Sequence, residues 1–187
     1  MTHVRCFAPV ADTNATILIL GSMPGKESLR ARQYYAHPRN AFWPILGELI
    51  GAAPMLAYDE RLRVLRSAGI ALWDVLESCA RATSLDSDID NGSLVSNDFA
   101  SFFSHHQKIA RVFFNGAKAE DCYRKHVLPV LGEASIVYKR LPSTSPANAS
   151  IPYRRKVAAW KAVVQPGQAS RPIRLQRRRP ARELNPG

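Results

Sequence analysis

The sequence predicts an α/β protein with three layers, α/β/α, built on a central four-stranded and mainly parallel sheet. Short runs rich in β-branched and aromatic residues recur four times, and a segment with helical periodicity follows each run. Gly, Pro or Asn-Gly punctuates the change from one to the other. Alternation of strands with helices makes successive strands parallel and covers both faces of the sheet. A chain of 187 residues suits one such domain.

The first strand is predicted at residues 16–20, after a lead-in over residues 1–15. It ends in the turn Gly-Ser-Met-Pro-Gly (21–25), and the carboxyl end of a strand is where open α/β sheets bind ligands. Gly21 and Gly25 allow close approach of a ligand to the backbone, and Pro24 stiffens the turn. Two tyrosines and His-Pro-Arg-Asn (37–40) follow, before a helix predicted to begin at Ala41 and to run to residue 50.

The remaining elements follow in order along the chain. A helix is predicted at 60–68, stopped by Gly69, and a buried strand at 70–76 contains one acid, Asp74. A polar loop at 81–93 precedes a helix at 98–105, which Asn97 is expected to cap. We then predict a strand at 109–114, a turn at Asn115 and Gly116, a helix at 117–128, a strand at 135–141, a loop at 142–150 and a helix at 152–164.

Charge and composition narrow the classes of function. The formal net charge is +11; residues 165–187 contribute six arginines and one glutamate, hence +5, and leave +6 on the rest. A basic body favours a polyanionic partner. We predict a single domain over 1–164 and a flexible basic tail over 165–187. The tail either attracts polyanions without specificity or is an inert solvated segment.

Composition also bears on location and cofactors. No apolar run approaches the ~20 residues that cross a bilayer, and the first residues lack the order of a signal peptide. We therefore expect a cytoplasmic, nucleoid-associated monomer. Cys6, Cys79 and Cys122 are far apart and form no CxxC pair, which supports neither disulfides nor a zinc or iron–sulfur site. We expect no metal and no cofactor.

The motifs resemble those of the uracil-DNA glycosylase superfamily, whose members excise damaged bases. The turn at 21–25 resembles its first motif, a Gly-x-Asp/Asn-Pro-x turn after strand one. Tyr-Ala-His-Pro-Arg-Asn-Ala-Phe-Trp (35–43) is similar to the segment that follows it in the mismatch-specific branch. Leu-Pro-Ser-Thr-Ser-Pro-Ala-Asn (141–148) lies where the second motif lies, after the last strand. The resemblance covers roughly residues 15–160.

Three departures from the first motif point to one branch. The catalytic Asp or Asn of the uracil- and thymine-directed branches is replaced by Met23, and the catalytic Glu of an iron–sulfur branch by Ser22. The bulky Tyr of strict uracil enzymes is Gly25, which widens the pocket. This combination resembles the hypoxanthine-DNA glycosylase branch, in which the catalytic amide comes from His-Pro-Arg-Asn. The resemblance therefore implies a monofunctional DNA-deoxyinosine glycosylase that leaves an abasic site, with Asn40 as its catalytic residue.

The resemblance also implies roles for the surrounding residues. The enzyme flips a deaminated nucleotide out of single- or double-stranded DNA, Tyr35 stacks on the base, and backbone N–H groups of Ser22 and Met23 donate to it. Asn40 positions the attacking water. The expected base pocket comprises Gly21, Ser22, Met23, Pro24, Gly25, Tyr35, His37, Phe42, Asp74 and Asn115. The expected DNA contacts are Arg39, Ser143, Thr144, Ser145, Pro146, Asn148 and Arg154, with Arg140, Arg155 and Lys156 as further phosphate-binding cations.

Several simpler interpretations remain open from the sequence. Asn40 alternatively caps the helix that follows it, Phe42 alternatively belongs to the core, and His37 alternatively braces its loop. Asp74 either accepts from a purine N–H or caps a strand end. The 143–148 loop is expected to press into the minor groove, although it lacks the family's usual Leu wedge.

Three other functions compete with hypoxanthine release. The nearest is a mismatch-specific uracil or thymine glycosylase, against which Met23 argues. A second is a DNA-binding relative without catalysis. A third is a flavodoxin-like nucleotide binder, but the turn at 21–25 lacks both the Lys-Ser/Thr of a P-loop and the spacing of a dinucleotide fingerprint.

Overall fold

A computed structural model describes residues 2–83, 85, 88–132 and 135–165. Apart from residue 165, the predicted basic tail lies outside the described residues, so its state stays a prediction. The strands are β1 (Thr2–Arg5), β2 (Ile17–Gly21), β3 (Ile70–Asp74), β4 (Leu76–Arg81), β5 (Val95–Ser96), β6 (Arg111–Asn115) and β7 (Val137–Leu141). The helices are α1 (Lys26–Ala31), α2 (Phe42–Ile50), α3 (Tyr58–Ser67), α4 (Phe99–His105), α5 (Ala117–His126), α6 (Leu128–Leu131) and α7 (Tyr153–Trp160).

The predicted central sheet is confirmed: it has four strands, all parallel, in the order β3-β2-β6-β7. Gly21 pairs with Asp74 across β2 and β3, and Asn115 pairs with Leu141 across β6 and β7. These four residues are the last of their strands, and parallel strands end at a common edge. The registers therefore bring the ends of all four strands, including the polar residues Asp74 and Asn115, to the same edge of the sheet.

Two apolar cores cover the two faces of the sheet, as expected for three layers. Strand side chains alternate between faces. In β2, Leu18 and Leu20 belong to a core shared with α4 and α5, whereas Ile17 and Ile19 belong to a core shared with α2, α3 and α7. Within the described residues, no helix combines the length and apolar character that crossing a bilayer requires.

A second sheet, which the sequence analysis missed, flanks the first. The predicted strand at 70–76 is broken at Val75: β3 stays in the parallel sheet, and β4 pairs antiparallel with β1 and β5. Strand β1 lies in the predicted lead-in, and β4 reaches Arg81, where the polar loop was predicted to begin. Both strands carry charged or polar residues among the apolar ones, so neither shows the apolar run that signals a strand buried on both faces.

Helix ends account for the other corrections. The short helix α1 was not predicted. Asp98, and not Asn97, caps α4, because the Asp98 side chain accepts from the Ser101 N–H. Asn97 instead donates its Nδ2 to the Asp74 carbonyl oxygen over 2.9 Å. The helix predicted at 117–128 ends at His126, and α6 follows as a separate turn with proline in its first positions.

Candidate active site

A cavity of about 1100 Å³ opens at the carboxyl edge of the parallel sheet. The last residues of all four parallel strands line it, as do residues of the 21–25 turn, the 34–40 segment and the 142–148 loop. The sheet edge thus gathers segments that are distant in the sequence, from Gly21 to Asn148. Of the residues predicted for the site, all except Phe42, Arg154, Arg155 and Lys156 line this cavity.

The turn at 21–25 is fastened along its carbonyl side by the chain from β3 into β4. The Gly21 and Ser22 carbonyls accept from the Val75 and Leu76 N–H groups over 2.8 and 3.2 Å. The Pro24 carbonyl accepts from Nη2 of Arg81, a side chain only 2% exposed. Sequence reasoning missed Arg81. No local signal pointed to it, because the LESCAR sequence of β4 shows no regular alternation of apolar and polar residues.

Gly21 makes room for the groups at the cavity floor. A Cβ on Gly21 would lie 2.3 Å from Oδ1 of Asp74 and 3.0 Å from the Tyr35 hydroxyl oxygen. The carboxylate and the phenol therefore both pack where a side chain at position 21 would stand. Asp74 is 3% exposed, ends β3 and lines the cavity.

The Tyr35 ring is held from behind by the core. Tyr35 has a φ of +55°, and its ring stacks on that of Phe42 with centroids 4.0 Å apart. Phe42 is fully buried and does not line the cavity, so its predicted place in the base pocket is corrected to a support for Tyr35. Burial raises the pKa of the neighbouring Tyr34 phenol well above its ordinary range, which keeps that lining group neutral.

Asn40 lines the cavity immediately before α2. Its Oδ1 accepts from the Phe42 N–H over 3.0 Å, and its own N–H donates to the His37 carbonyl over 2.8 Å. The first of these bonds is the helix-start contact that the simpler interpretation describes. An amide oxygen has two lone pairs, so the contact leaves one lone pair and the Nδ2 group for a ligand.

His37 braces the segment that carries Asn40. Its Nδ1 accepts from the Arg39 N–H over 3.1 Å, which places the proton of a neutral imidazole on Nε2. His37 and Arg39 both line the cavity.

The loop at 142–148 is tied down by side-chain hydrogen bonds. Asn115 donates Nδ2 to the Thr144 hydroxyl and accepts from the Thr144 N–H, both over 2.8 Å. The Thr144 carbonyl accepts from the Ala41 N–H over 3.0 Å. Thr144 is 1% exposed, so it holds the loop and does not present itself to DNA as predicted; Asn115 serves the same clamp.

Cations line the cavity, although not all are those predicted. Lys26 and Lys118 follow the turns after β2 and β6 and line it beside the expected Arg39 and Arg140; both lysines were missed. Lys118 is the second residue of α5, so its charge adds to the partial positive charge of the helix N-terminus. By contrast, Arg154 and Arg155 are exposed on α7 outside the lining. Lys156 is 5% exposed, and burial lowers its pKa, so it is no surface contact for phosphate.

Known proteins resemble this chain over most of its length. The family model of the uracil DNA glycosylase superfamily matches residues 8–164. A relative from Methanosarcina acetivorans, named hypoxanthine DNA glycosylase, is 39% identical over 160 residues, which are 85% of this chain and 96% of the relative. A relative of the same name from Methanosarcina barkeri is 38% identical over 143 residues, 76% of this chain and 86% of the relative.

One solved structure supports the same fold. It is a solution NMR structure from Methanosarcina acetivorans, described as that of a candidate uracil DNA glycosylase. It superposes with a TM-score of 0.73 at 38% sequence identity, over 87% of this chain and 97% of that chain.

Proposed function

The chain belongs to the uracil DNA glycosylase superfamily, and on that premise we propose that it is a monofunctional DNA glycosylase that releases hypoxanthine from deoxyinosine. The relatives at 38% and 39% identity carry the name hypoxanthine DNA glycosylase, which supports this substrate over uracil. We propose that it acts as a monomer on chromosomal DNA in the cytoplasm.

The observation that carries the proposal is the composition of the cavity wall. Asn40 lines the same cavity as the turn at 21–25, where Met23 replaces the acid or amide of the other branches. A glycosylase reaches its bond only after the nucleotide has swung out of the stack into such a pocket. Lys26, Arg39 and Lys118 on the lining supply positive charge for the backbone phosphates that must approach the mouth.

The chemical step follows from these groups. The C1′–N9 bond breaks and its electron pair leaves with the purine, while the oxygen of one water molecule bonds to C1′. One water proton ends on the purine and the other stays on the new C1′ hydroxyl. An amide does not titrate, so Asn40 acts by position: its free lone pair accepts from the water and aims it at C1′. Tyr35, backed by Phe42, offers its ring to the base.

Asn40 variants separate catalysis from helix capping. Asn40→Ala removes both roles, and we expect hypoxanthine release to fall about 100-fold or more, with DNA binding nearly intact. Asn40→Ser keeps an oxygen that accepts from the N–H two residues on, as Ser143 does for Ser145 in this chain. We expect Asn40→Ser to melt close to the wild type and to be as inactive as Asn40→Ala. Near-normal release by either variant would exclude Asn40 as the catalytic residue.

A panel of oligonucleotides tests the substrate. Duplexes with hypoxanthine, uracil, xanthine or a thymine mismatch are treated with the protein and scored for alkali-labile breaks at the lesion. We expect hypoxanthine to be released far faster than uracil. Equal or faster release of uracil would place the chain with the mismatch-specific enzymes. Tight binding without any abasic product would identify a DNA-binding relative.

A further inference from the structure

Three carbonyls of the 21–25 turn accept hydrogen bonds from the chain that runs from β3 through β4. The Gly21 carbonyl accepts from the Val75 N–H, and the Ser22 carbonyl accepts from the Leu76 N–H. The Pro24 carbonyl accepts from the Arg81 guanidinium. The first two contacts are backbone bonds that any sequence can make. The third depends on one side chain, which reaches from the far end of β4.

Peptide geometry fixes what the other side of the turn presents. In a trans peptide the C=O and the following N–H point in opposite directions, and no cis peptide is present in the described residues. Holding the Pro24 carbonyl against Arg81 therefore turns the Gly25 N–H the opposite way. Within the described residues, nothing accepts a hydrogen bond from the Gly25 N–H, and Gly25 lines the cavity.

We propose that Arg81 is a positioning residue that locks the Pro24–Gly25 peptide, so that the Gly25 N–H donates to an acceptor atom of the extruded base on which negative charge develops. The inference rests on the proposed glycosylase function and adds a donor to it. As the electron pair of the C1′–N9 bond moves onto the purine, a fixed N–H at the wall stabilises the departing ring. No reorientation of the peptide is needed during the reaction, because Arg81 has set it in the folded protein.

Arg81 suits this task for two reasons. Its guanidinium spans the distance from the end of β4 to the turn, and its planar donors resist rotation about the bond they make. Its charge also polarises the Pro24–Gly25 amide, because a cation at the carbonyl oxygen makes the N–H of the same amide a stronger donor. A neutral donor at position 81 would fix the orientation of the peptide less firmly and would not polarise the amide.

Two substitutions at Gly25 test the donor itself. Gly25 has a φ of −70°, which proline adopts without strain, so Gly25→Pro deletes the N–H and keeps this backbone angle. Gly25→Ala adds a side chain but keeps the N–H, and it sets the reference. In single-turnover assays on a deoxyinosine duplex, we expect Gly25→Pro to release hypoxanthine ~100-fold more slowly than Gly25→Ala. DNA dissociation constants of the two variants should agree within about threefold, because the donor acts mainly as charge develops.

Substitution of Arg81 tests the lock, with Arg111 as the matched control. Arg111 is the first residue of β6 and likewise donates to a backbone carbonyl, that of Gln165 over 2.7 Å, but at the amino end of the parallel strands, away from the cavity. We expect Arg81→Gln to lower the single-turnover rate at least tenfold, Arg81→Lys to restore part of it, and Arg111→Gln to leave the rate unchanged. Thermal unfolding of each variant separates loss of folded protein from loss of rate.

The outcomes distinguish this inference from the proposed function. If the wild-type protein released no base from any duplex, the glycosylase proposal would fail first. If it released hypoxanthine, and Gly25→Pro matched Gly25→Ala, the donor would be refuted. If Gly25→Pro did not fold, the Arg81 variants would decide. A release rate per folded molecule of Arg81→Gln equal to that of Arg111→Gln would refute the positioning role of Arg81. A lower rate that Arg81→Lys partly restores would support it.

Discussion

The two walls of the cavity differ in the backbone groups that hold them in place. The turn at 21–25 is held by its carbonyl oxygens, which accept from Val75, Leu76 and Arg81. The 142–148 loop is held through its N–H groups as well as its carbonyls: Thr144 donates to Asn115, Ser145 to the Ser143 hydroxyl, and residues 147 and 148 to Ser145. The carbonyls of residues 142, 143 and 144 also accept hydrogen bonds. In the 21–25 turn, the carbonyls face the anchoring residues and the N–H groups therefore point away from them. In the 142–148 loop, the N–H groups form hydrogen bonds that maintain the shape of the loop itself.

The difference assigns different chemistry to each wall. A turn whose Gly25 N–H has no acceptor within the described residues suits the acceptor atoms of a base and the negative charge that a leaving group gains. A loop whose N–H groups are satisfied internally offers side chains and shape instead.

Gly21→Ala should have the largest effect, because it disturbs the 21–25 turn at its first residue. The new Cβ would lie 2.3 Å from Oδ1 of Asp74, so the carboxylate or the turn must move. We expect the free energy of unfolding to fall by about 3 kcal/mol, as for overpacking of a dense interior, and release of hypoxanthine to be nearly lost. Urea denaturation and single-turnover kinetics measure the two effects.

Gly92→Ala is the matched control for Gly21→Ala. The nearest atom to a Cβ at Gly92 is 3.5 Å away, which is an ordinary contact, and Gly92 does not line the cavity. We expect stability and release to stay close to those of the wild type. Equal losses for the two variants would contradict the steric argument at position 21.

Asn115→Ala should loosen the opposite wall without touching the turn. It removes two buried hydrogen bonds to Thr144 and leaves that N–H without its acceptor, at a cost of about 2 kcal/mol. Hydrogen exchange of the Thr144 amide should accelerate. Asn97→Ala is the control, since Asn97 has the same 9% exposure and donates to the Asp74 carbonyl instead. Unchanged protection of Thr144 in Asn115→Ala would exclude the clamp.

The cations beside the two walls should share the attraction for DNA. Lys26 follows the turn and Lys118 follows β6, and both line the cavity. If each contacts one phosphate, Lys26→Gln and Lys118→Gln should each reduce the slope of log K against log salt by about 0.9. Arg154→Gln, outside the lining, should leave the slope nearly unchanged. A slope that falls for Arg154→Gln alone would move the DNA path to α7.

Leu85→Ala should have the smallest effect, and one restricted to duplex DNA. Of the large apolar side chains exposed in the described residues, Leu85 alone lines the cavity. An apolar side chain at the mouth helps to hold open the gap left by an extruded nucleotide. We expect release from a duplex to fall about threefold to tenfold, which is a fraction of the cost of one unstacked base step, and release from single-stranded DNA to change less.

Val95→Ala is the matched control for Leu85→Ala. Val95 is exposed to the same 47%, but it lies on β5 and does not line the cavity. It should leave both activities unchanged. Equal losses on single- and double-stranded substrates in Leu85→Ala would show that Leu85 does not act on the base stack.

The parallel sheet could be predicted from the sequence because its strands are continuous apolar runs that helices separate. The turn at 21–25 was readable because open α/β sheets bind ligands at strand ends, and the segments at 35–40 and 141–148 were assigned to the site from the resemblance to the glycosylase motifs. Arg81 was not, since its partner lies 57 positions earlier and no local pattern links the two. Thr144 was mistaken for a surface residue for the same reason: its burial depends on Asn115 and Ala41, which are distant in sequence.

Thr144 fixes the width of the cavity opening. Through its hydroxyl, N–H and carbonyl it joins the end of β6 to the start of α2. A swing of this loop away from the sheet would sever all three bonds together, at roughly 1 kcal/mol for each. An adduct too bulky for the closed opening would therefore bind more weakly, because its binding would have to supply the free energy of breaking these bonds.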